Sequence, residues 1–296
     1  MTFIFALVGV LGVAASGPLI AAFPAVPALS MALWRNAIGT AVMAVPALLI
    51  EPRTFSRLKR RDWGWSALAA FSLALHFAFF MNSIRMTTVA AATALVCLQA
   101  AWIALFQFLR GAKYGWRVGL GVFLAFGGVV VITGLDVGSG TDALLGDVYA
   151  LIGGVLAAAY TLSGAKARET MSTSAYTTAC YGMTSIMLLA MCLIAGVPVW
   201  GFDAKGWIGI LALAICSQVL GHSALNHLLT SLGPLTVSTL ILLEIPGAAI
   251  LAAVFLGQVL PAGTVIGLVV ILGGLFFVVR GQGRILAVPR VADPEQ

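Results

Sequence analysis

Long apolar runs, hardly broken by charge, limit this chain more than any other feature. A stretch of about 20 apolar residues in helical form spans the ~30 Å hydrocarbon core of a bilayer. Ten such stretches are predicted, at about 3–23, 29–50, 63–84, 87–109, 117–134, 145–166, 173–196, 206–228, 235–257 and 261–280. The runs are continuous rather than alternating, so helices are expected and a strand barrel is not. Only 9% of the 296 residues are charged and 61% are hydrophobic, where a water-facing domain carries about 25% charge. The first run has no basic leader and no cleavage site, so it is expected to stay as a helix and not to be removed as a signal peptide. The Pro- and charge-containing stretch 283–296 is expected to be a cytoplasmic tail.

The formal net charge is +6. Arg53, Arg57, Lys59, Arg60 and Arg61 fall between the second and third runs, and Arg110, Lys113 and Arg117 between the fourth and fifth. Lys166 and Arg168 follow the sixth, and Arg280, Arg284 and Arg290 follow the tenth. These connections share one side, while Arg85, Asp136, Asp142, Asp147 and Lys205 lie on the other. The positive-inside rule therefore predicts both termini in the cytoplasm. The basic charge reads as an orientation signal, and no nucleic-acid partner is expected. Cys97, Cys180, Cys192 and Cys216 all fall inside runs without metal-type spacing, and read as packing residues.

A shift of 146 positions lays Gly121-x5-Gly127-Gly128 on Gly267-x5-Gly273-Gly274, His76 on His222 and Ser72 on Gln218. A shift of 145 lays Gln99 on Glu244. Two homologous halves are therefore expected, 1–137 and 138–282, with five helices each. An odd number of spans makes the second half enter the membrane from the opposite side, which gives an inverted repeat. The glycines are expected to let helices pack closely.

Between Ser217 and Leu229, Gln218, His222 and Asn226 recur every fourth residue in an otherwise apolar run, and His227 follows near its cytoplasmic end. Positions four apart share a face of an α-helix, so the column is expected to point into a cavity or at a neighbouring helix. The matching run carries His76 and Phe79, with Asn82 slightly off that face. Gln99 and Glu244 sit near the middle of their runs. An ionised acid at mid-membrane costs on the order of 3 kcal/mol or more to insert, and marks Glu244 as a functional candidate beside the alternative of a neutral acid bonded to a neighbouring helix. Pro246 removes the hydrogen bond to the carbonyl of Leu242 and predicts a kink. Ser16-Gly17-Pro18 predicts another. Arg35, beside Trp34 in the aromatic belt, is read as snorkelling to the outer interface; the alternative is capture of an anionic group from a cavity. Arg85 reads as a boundary charge.

The segments Leu29–Gly39, Gly146–Glu169 and Ser231–Val278 resemble the drug/metabolite transporter superfamily in its EamA-type, ten-helix arrangement, and within it the YddG-type amino-acid exporters. The resemblance runs over nearly the whole chain, except that Gln258 stands where the family has a glutamate. It implies an all-α membrane protein of two inverted five-helix repeats around a central cavity. Tyr160, Ser163 and Trp102 are placed in that cavity by the resemblance, together with His76, Phe79, Asn82, Gln99, Gln218, His222, Asn226 and Glu244. The implied activity is export of small metabolites, amino acids above all, across the bacterial inner membrane, with lipophilic cations or drugs as the alternative cargo. Alternating access is the expected mechanism. Glu244, His222 and His76 are the groups for proton coupling; facilitated diffusion or exchange is equally open. A phosphorylated cargo is not expected, because the last four runs hold no cation in their cores. No HExxH, GxSxG or Cys/His spacing is found, so neither an enzyme nor a cofactor or metal is expected. The lipid bilayer and a small-molecule substrate are the expected partners, with a monomer as the unit.

Overall fold

The computed structural model describes residues 1–51, 54–136, 140–259 and 262–282. Arg53, Arg284, Arg290 and the tail 283–296 lie outside the described residues, as do the side chains of Arg57 and Asp136. Every regular element among the described residues is helical. The order is α1 (Thr2–Ala14), α2 (Ser16–Ala22), α3 (Ala28–Leu49), α4 (Thr54–Arg57), α5 (Arg60–Met86), α6 (Val89–Val96), α7 (Gln99–Leu109), α8 (Trp116–Asp136), α9 (Thr141–Ala167), α10 (Thr173–Ile194) and α11 (Ala204–Leu213). A π-helical segment, Ala214–His222, then leads into α12 (Ser223–Ile241), α13 (Glu244–Leu256) and α14 (Ala262–Gln282).

Seven stretches of described residues are long and apolar enough to cross a membrane: Thr2–Ala22, Ala28–Leu49, Arg60–Met86, Val89–Leu109, Thr141–Ala167, Thr173–Ile194 and Ala204–Leu256. Two shorter apolar helical stretches, Trp116–Gly128 and Val265–Val278, lie where two further spans are expected. The last of the seven holds 53 residues, about 80 Å of helix at 1.5 Å per residue and far more than one crossing needs. Its ladder is interrupted at Gly233, whose φ of 76° and ψ of 163° end one helix just before Pro234 starts the next.

Helix starts are fixed locally. Thr88, Ser172 and Asp203 accept hydrogen bonds from the amides of Ala91, Ala175 and Gly206, and so cap α6, α10 and α11. Asp62 accepts from the Lys59 amide at the start of α5. Gln258, the departure from the family pattern, places its side-chain oxygen 3.3 Å from the Val89 amide in the first turn of α6.

Three spans are broken in mid-course. Pro18, with no N–H to donate, separates α1 from α2. The span with Pro246 breaks at Leu242–Leu243, so Glu244 is the first residue of α13. The span Val89–Leu109 breaks at Cys97–Leu98, and Gln99 is the first residue of α7.

In packing, α5 lies on α9, α3 on α10, α8 on α14, and α1 on the π-helical segment and α12. Two contacts are made backbone to backbone. A Cβ on Gly12 would lie 2.5 Å from the Cys216 carbonyl oxygen. A Cβ on Gly274 would lie 2.6 Å from the Gly121 carbonyl oxygen, and one on Gly128 would lie 2.7 Å from that of Gly267. Small residues allow this approach, which gains van der Waals contact in a solvent that supplies no hydrophobic drive between helices.

Candidate functional site

A small cavity of about 40 Å³ lies where α1, α2, α5, α6, α9, α12 and the broken ends at Gln99 and Glu244 meet. His76, His222, Gln99, Tyr160, Asn226 and Glu244 line it together with Ser16, Phe77, Phe80 and Cys97. This is room for no more than a few waters.

The polar groups are tied in sequence. Asn226 Nδ2 donates to the Tyr160 and Tyr181 hydroxyls, at 2.6 and 3.2 Å. The Tyr181 hydroxyl is 3.2 Å from Ser223 Oγ, which donates to the Gln218 carbonyl at 3.1 Å. The Gln218 amide donates to Asn36 Oδ1 at 3.0 Å and accepts from Arg35 Nε at 2.8 Å. Arg35 Nη1 reaches Ser16 Oγ at 3.2 Å, and its guanidinium carbon lies 4.2 Å from the centre of the Phe77 ring. His76 donates from Nδ1 to the Gly153 carbonyl at 3.0 Å and stacks on Phe80. His222 stands edge-on to Phe77 and Tyr160. Glu244 Oε2 is 3.9 Å from the Cys97 thiol. Arg168 binds the same network from the far end, with Nε donating to the Asn226 carbonyl at 3.3 Å and Nη1 to that of Met171.

Of the eleven candidate residues, the structure brings six to one cavity and leaves five elsewhere. Gln218 is buried with no share of the wall, because its amide is taken up by Arg35 and Asn36. Within the π-wound Ala214–His222, the Gln218 side chain bonds α3 through Arg35 and Asn36, while His222 stands against Phe77 and Tyr160. Asn82 Nδ2 donates to the Ala78 carbonyl on its own helix. Phe79 packs edge-on against Tyr149, and Trp102 against Phe126. Ser163 lines a separate, wider recess of about 570 Å³ that also holds Arg110, Lys166 and Glu169.

Arg35 corrects the expectation of a snorkelling side chain: it is 0% exposed and sits within the network. Its partner Gln218 is 183 positions away, which a reading of one span cannot see. Its depth was a usable signal, since seven residues into α3 place it about 10 Å below the helix start. Trp34, one residue before it, turns outward from the network. Its Nε1 donates to the Val199 carbonyl at 2.7 Å, and it packs on Trp200 and Trp207. Arg85 is more than a boundary charge, for it donates to the carbonyls of Phe23 and Val26 at 3.1 and 3.0 Å and clasps the turn between α2 and α3.

Known proteins bear on this arrangement in three ways. A crystal structure of another protein superposes with a TM-score of 0.70 at 18% identity, over 97% of this chain and 98% of that one, and shares its fold. An uncharacterized transporter from Archaeoglobus fulgidus is 27% identical over 225 residues, 73% of this chain and 76% of the relative. The model of the EamA-like transporter family matches residues 1–134 and again 144–280. With a multi-span helical body, a buried polar cavity between its helices and a family match over most of its length, the chain belongs to the EamA-like transporter family and is a membrane transporter, not an enzyme.

Proposed function

We propose that this transporter exports small metabolites, amino acids with aromatic or other apolar neutral side chains in particular, by alternating access around the central cavity. The observation that carries this reading is the composition of the cavity wall. One acid, two imidazoles, two amides and a phenol are set among Phe77, Phe80, Val13 and Leu225. Such a wall suits a cargo with a polar head and an apolar body. At about 40 Å³ the cavity is far smaller than the cargo, so its walls must part to admit one.

The architecture we infer is ten helices in two inverted repeats, 1–137 and 138–282, followed by the tail 283–296. Packing supports it. Gly121 meets Gly274 and Gly128 meets Gly267, so the first glycine of each motif touches the last glycine of the other. That reciprocal pattern is what a two-fold axis produces. The pair α5 and α9 likewise has its counterpart in α1 with the π-helical segment and α12. The distribution of Lys and Arg supports cytoplasmic termini, and the bacterial inner membrane is the location we infer from the resemblance. A monomer, which encloses the whole cavity, is the proposed unit.

The test is uptake into proteoliposomes. Labelled phenylalanine is expected to accumulate and to be displaced by other apolar amino acids. Transport of tetraphenylphosphonium with no transport of any amino acid would overturn the reading in favour of a drug exporter. Repeating the assay with and without an imposed pH gradient decides proton coupling through Glu244, His222 or His76: equal rates and equal final accumulation would remove it.

A further inference from the structure

Arg35 is a fully buried cation with no carboxylate in ion-pair contact among the described residues. Two of its nitrogens are engaged, Nε by Gln218 and Nη1 by Ser16. The third, Nη2, is buried with no hydrogen-bond partner. Buried guanidinium N–H groups are nearly always bonded, so an unmet one asks for an explanation. Glu244 is also buried, yet the two do not come within the 4.0 Å of an ion pair. Two opposite charges that served only the fold would be expected to meet, because each alone is costly in a low dielectric. Here they are held apart by neutral partners. Two of the groups around Arg35, Ser16 and Phe77, are themselves cavity wall, and so is Glu244. The guanidinium therefore stands one side chain behind the wall, resting on the face of Phe77, a place where a cation is stabilised without being neutralised.

We propose that Arg35 is the anchor for a carboxylate of the cargo and that Glu244 takes its ammonium group, so that the site is built for a zwitterion. The planar guanidinium fork matches a carboxylate in shape and charge. A zwitterion bridging the two residues neutralises both at once and leaves no net charge in the closed site. A lipophilic cation would satisfy Glu244 alone and would meet repulsion from Arg35. The proposal rests on the reading of this cavity as the transport site and narrows its cargo to molecules carrying both groups.

Purified wild-type protein in detergent is titrated with L-phenylalanine, L-phenylalaninamide, N-acetyl-L-phenylalanine and tetraphenylphosphonium, with thermal stabilisation as the readout. The amide lacks the carboxylate and the acetyl compound lacks the ammonium. Each is expected to bind about tenfold or more weakly than phenylalanine, the loss of one charge-assisted contact. In Arg35→Gln the amide and the free acid are expected to bind alike, while the preference over the acetyl compound persists. Glu244→Gln is expected to show the converse. Arg35→Lys, which keeps the charge and loses the fork, serves if Arg35→Gln does not fold, and is expected to fall between. Equal wild-type binding of acid and amide, with amino acids still bound, would overturn the anchor and leave the amino-acid reading standing. So would an acid preference that survives in Arg35→Gln. Binding of tetraphenylphosphonium with none of phenylalanine would overturn both.

Discussion

The α8–α14 pair and the helices around Arg35 solve the same problem in opposite ways. In the first, two helices meet at glycines, each so close that a Cβ would strike the facing carbonyl oxygen. In the second, α3, α10, α12 and the π-helical segment are joined through Asn36, Gln218, Arg35, Tyr181, Ser223 and Asn226. Lipid does not drive either pair together, since it solvates apolar side chains as well as another helix does. Close packing at Gly121, Gly128 and Gly274 pins the first interface and restricts its geometry. Hydrogen bonds hold the second, and each can exchange its partner for water or a cargo atom. The first is built to keep its shape; the second is built to change it.

Substitutions test that division. The largest effect is expected at Gly121→Leu, where the new side chain meets the Gly274 backbone and Val278. Overpacking there should cost about 3 kcal/mol or more, read as loss of monodisperse protein on gel filtration; a folded, transporting variant would show that α8 and α14 separate freely. Next is Glu244→Gln at the cavity. It should raise the phenylalanine concentration for half-maximal transport about tenfold while the melting temperature stays near wild type. Asn226→Ala comes third. It removes the bonds to Tyr160 and Tyr181 and should destabilise by about 1 kcal/mol, a small fall in melting temperature. The smallest effect is expected at Gly127→Ala, next to the tightly packed Gly128. A Cβ there meets nothing within 4 Å, so stability should hold within about 0.5 kcal/mol. A large loss at Gly127 would mean that the motif acts through backbone flexibility and not through contact.

Most of the helical body was legible in the sequence, because a bilayer demands long apolar runs whatever the tertiary contacts. The glycine motif was legible too, since contact between α8 and α14 needs small residues at a fixed spacing. Two features were not. The spacing of Gln218 leaves a cavity and a neighbouring helix open, and the side chain takes the neighbouring helix, α3; nothing in "AICSQVLGH" announces a π segment. Arg35 was assigned to the interface because its partners come from elsewhere in the chain, Ser16 from the previous span and Gln218 from the other half. The kink near Pro246 is expected, and the break falls at Leu242–Leu243, at the carbonyl that the proline cannot bond and that accepts from the Ile245 amide instead.

The π winding has a consequence for the proposed repeats. Its counterpart, α5, is α-helical without a break from Arg60 to Met86. The paired histidines accordingly have different neighbours, His76 on the Gly153 carbonyl and His222 between two rings. Two identical halves would make the inward-facing and outward-facing forms mirror each other in energy. A coil wound differently in one half removes that equivalence, so under the proposed repeat the two forms need not be equally populated even in a symmetric bilayer.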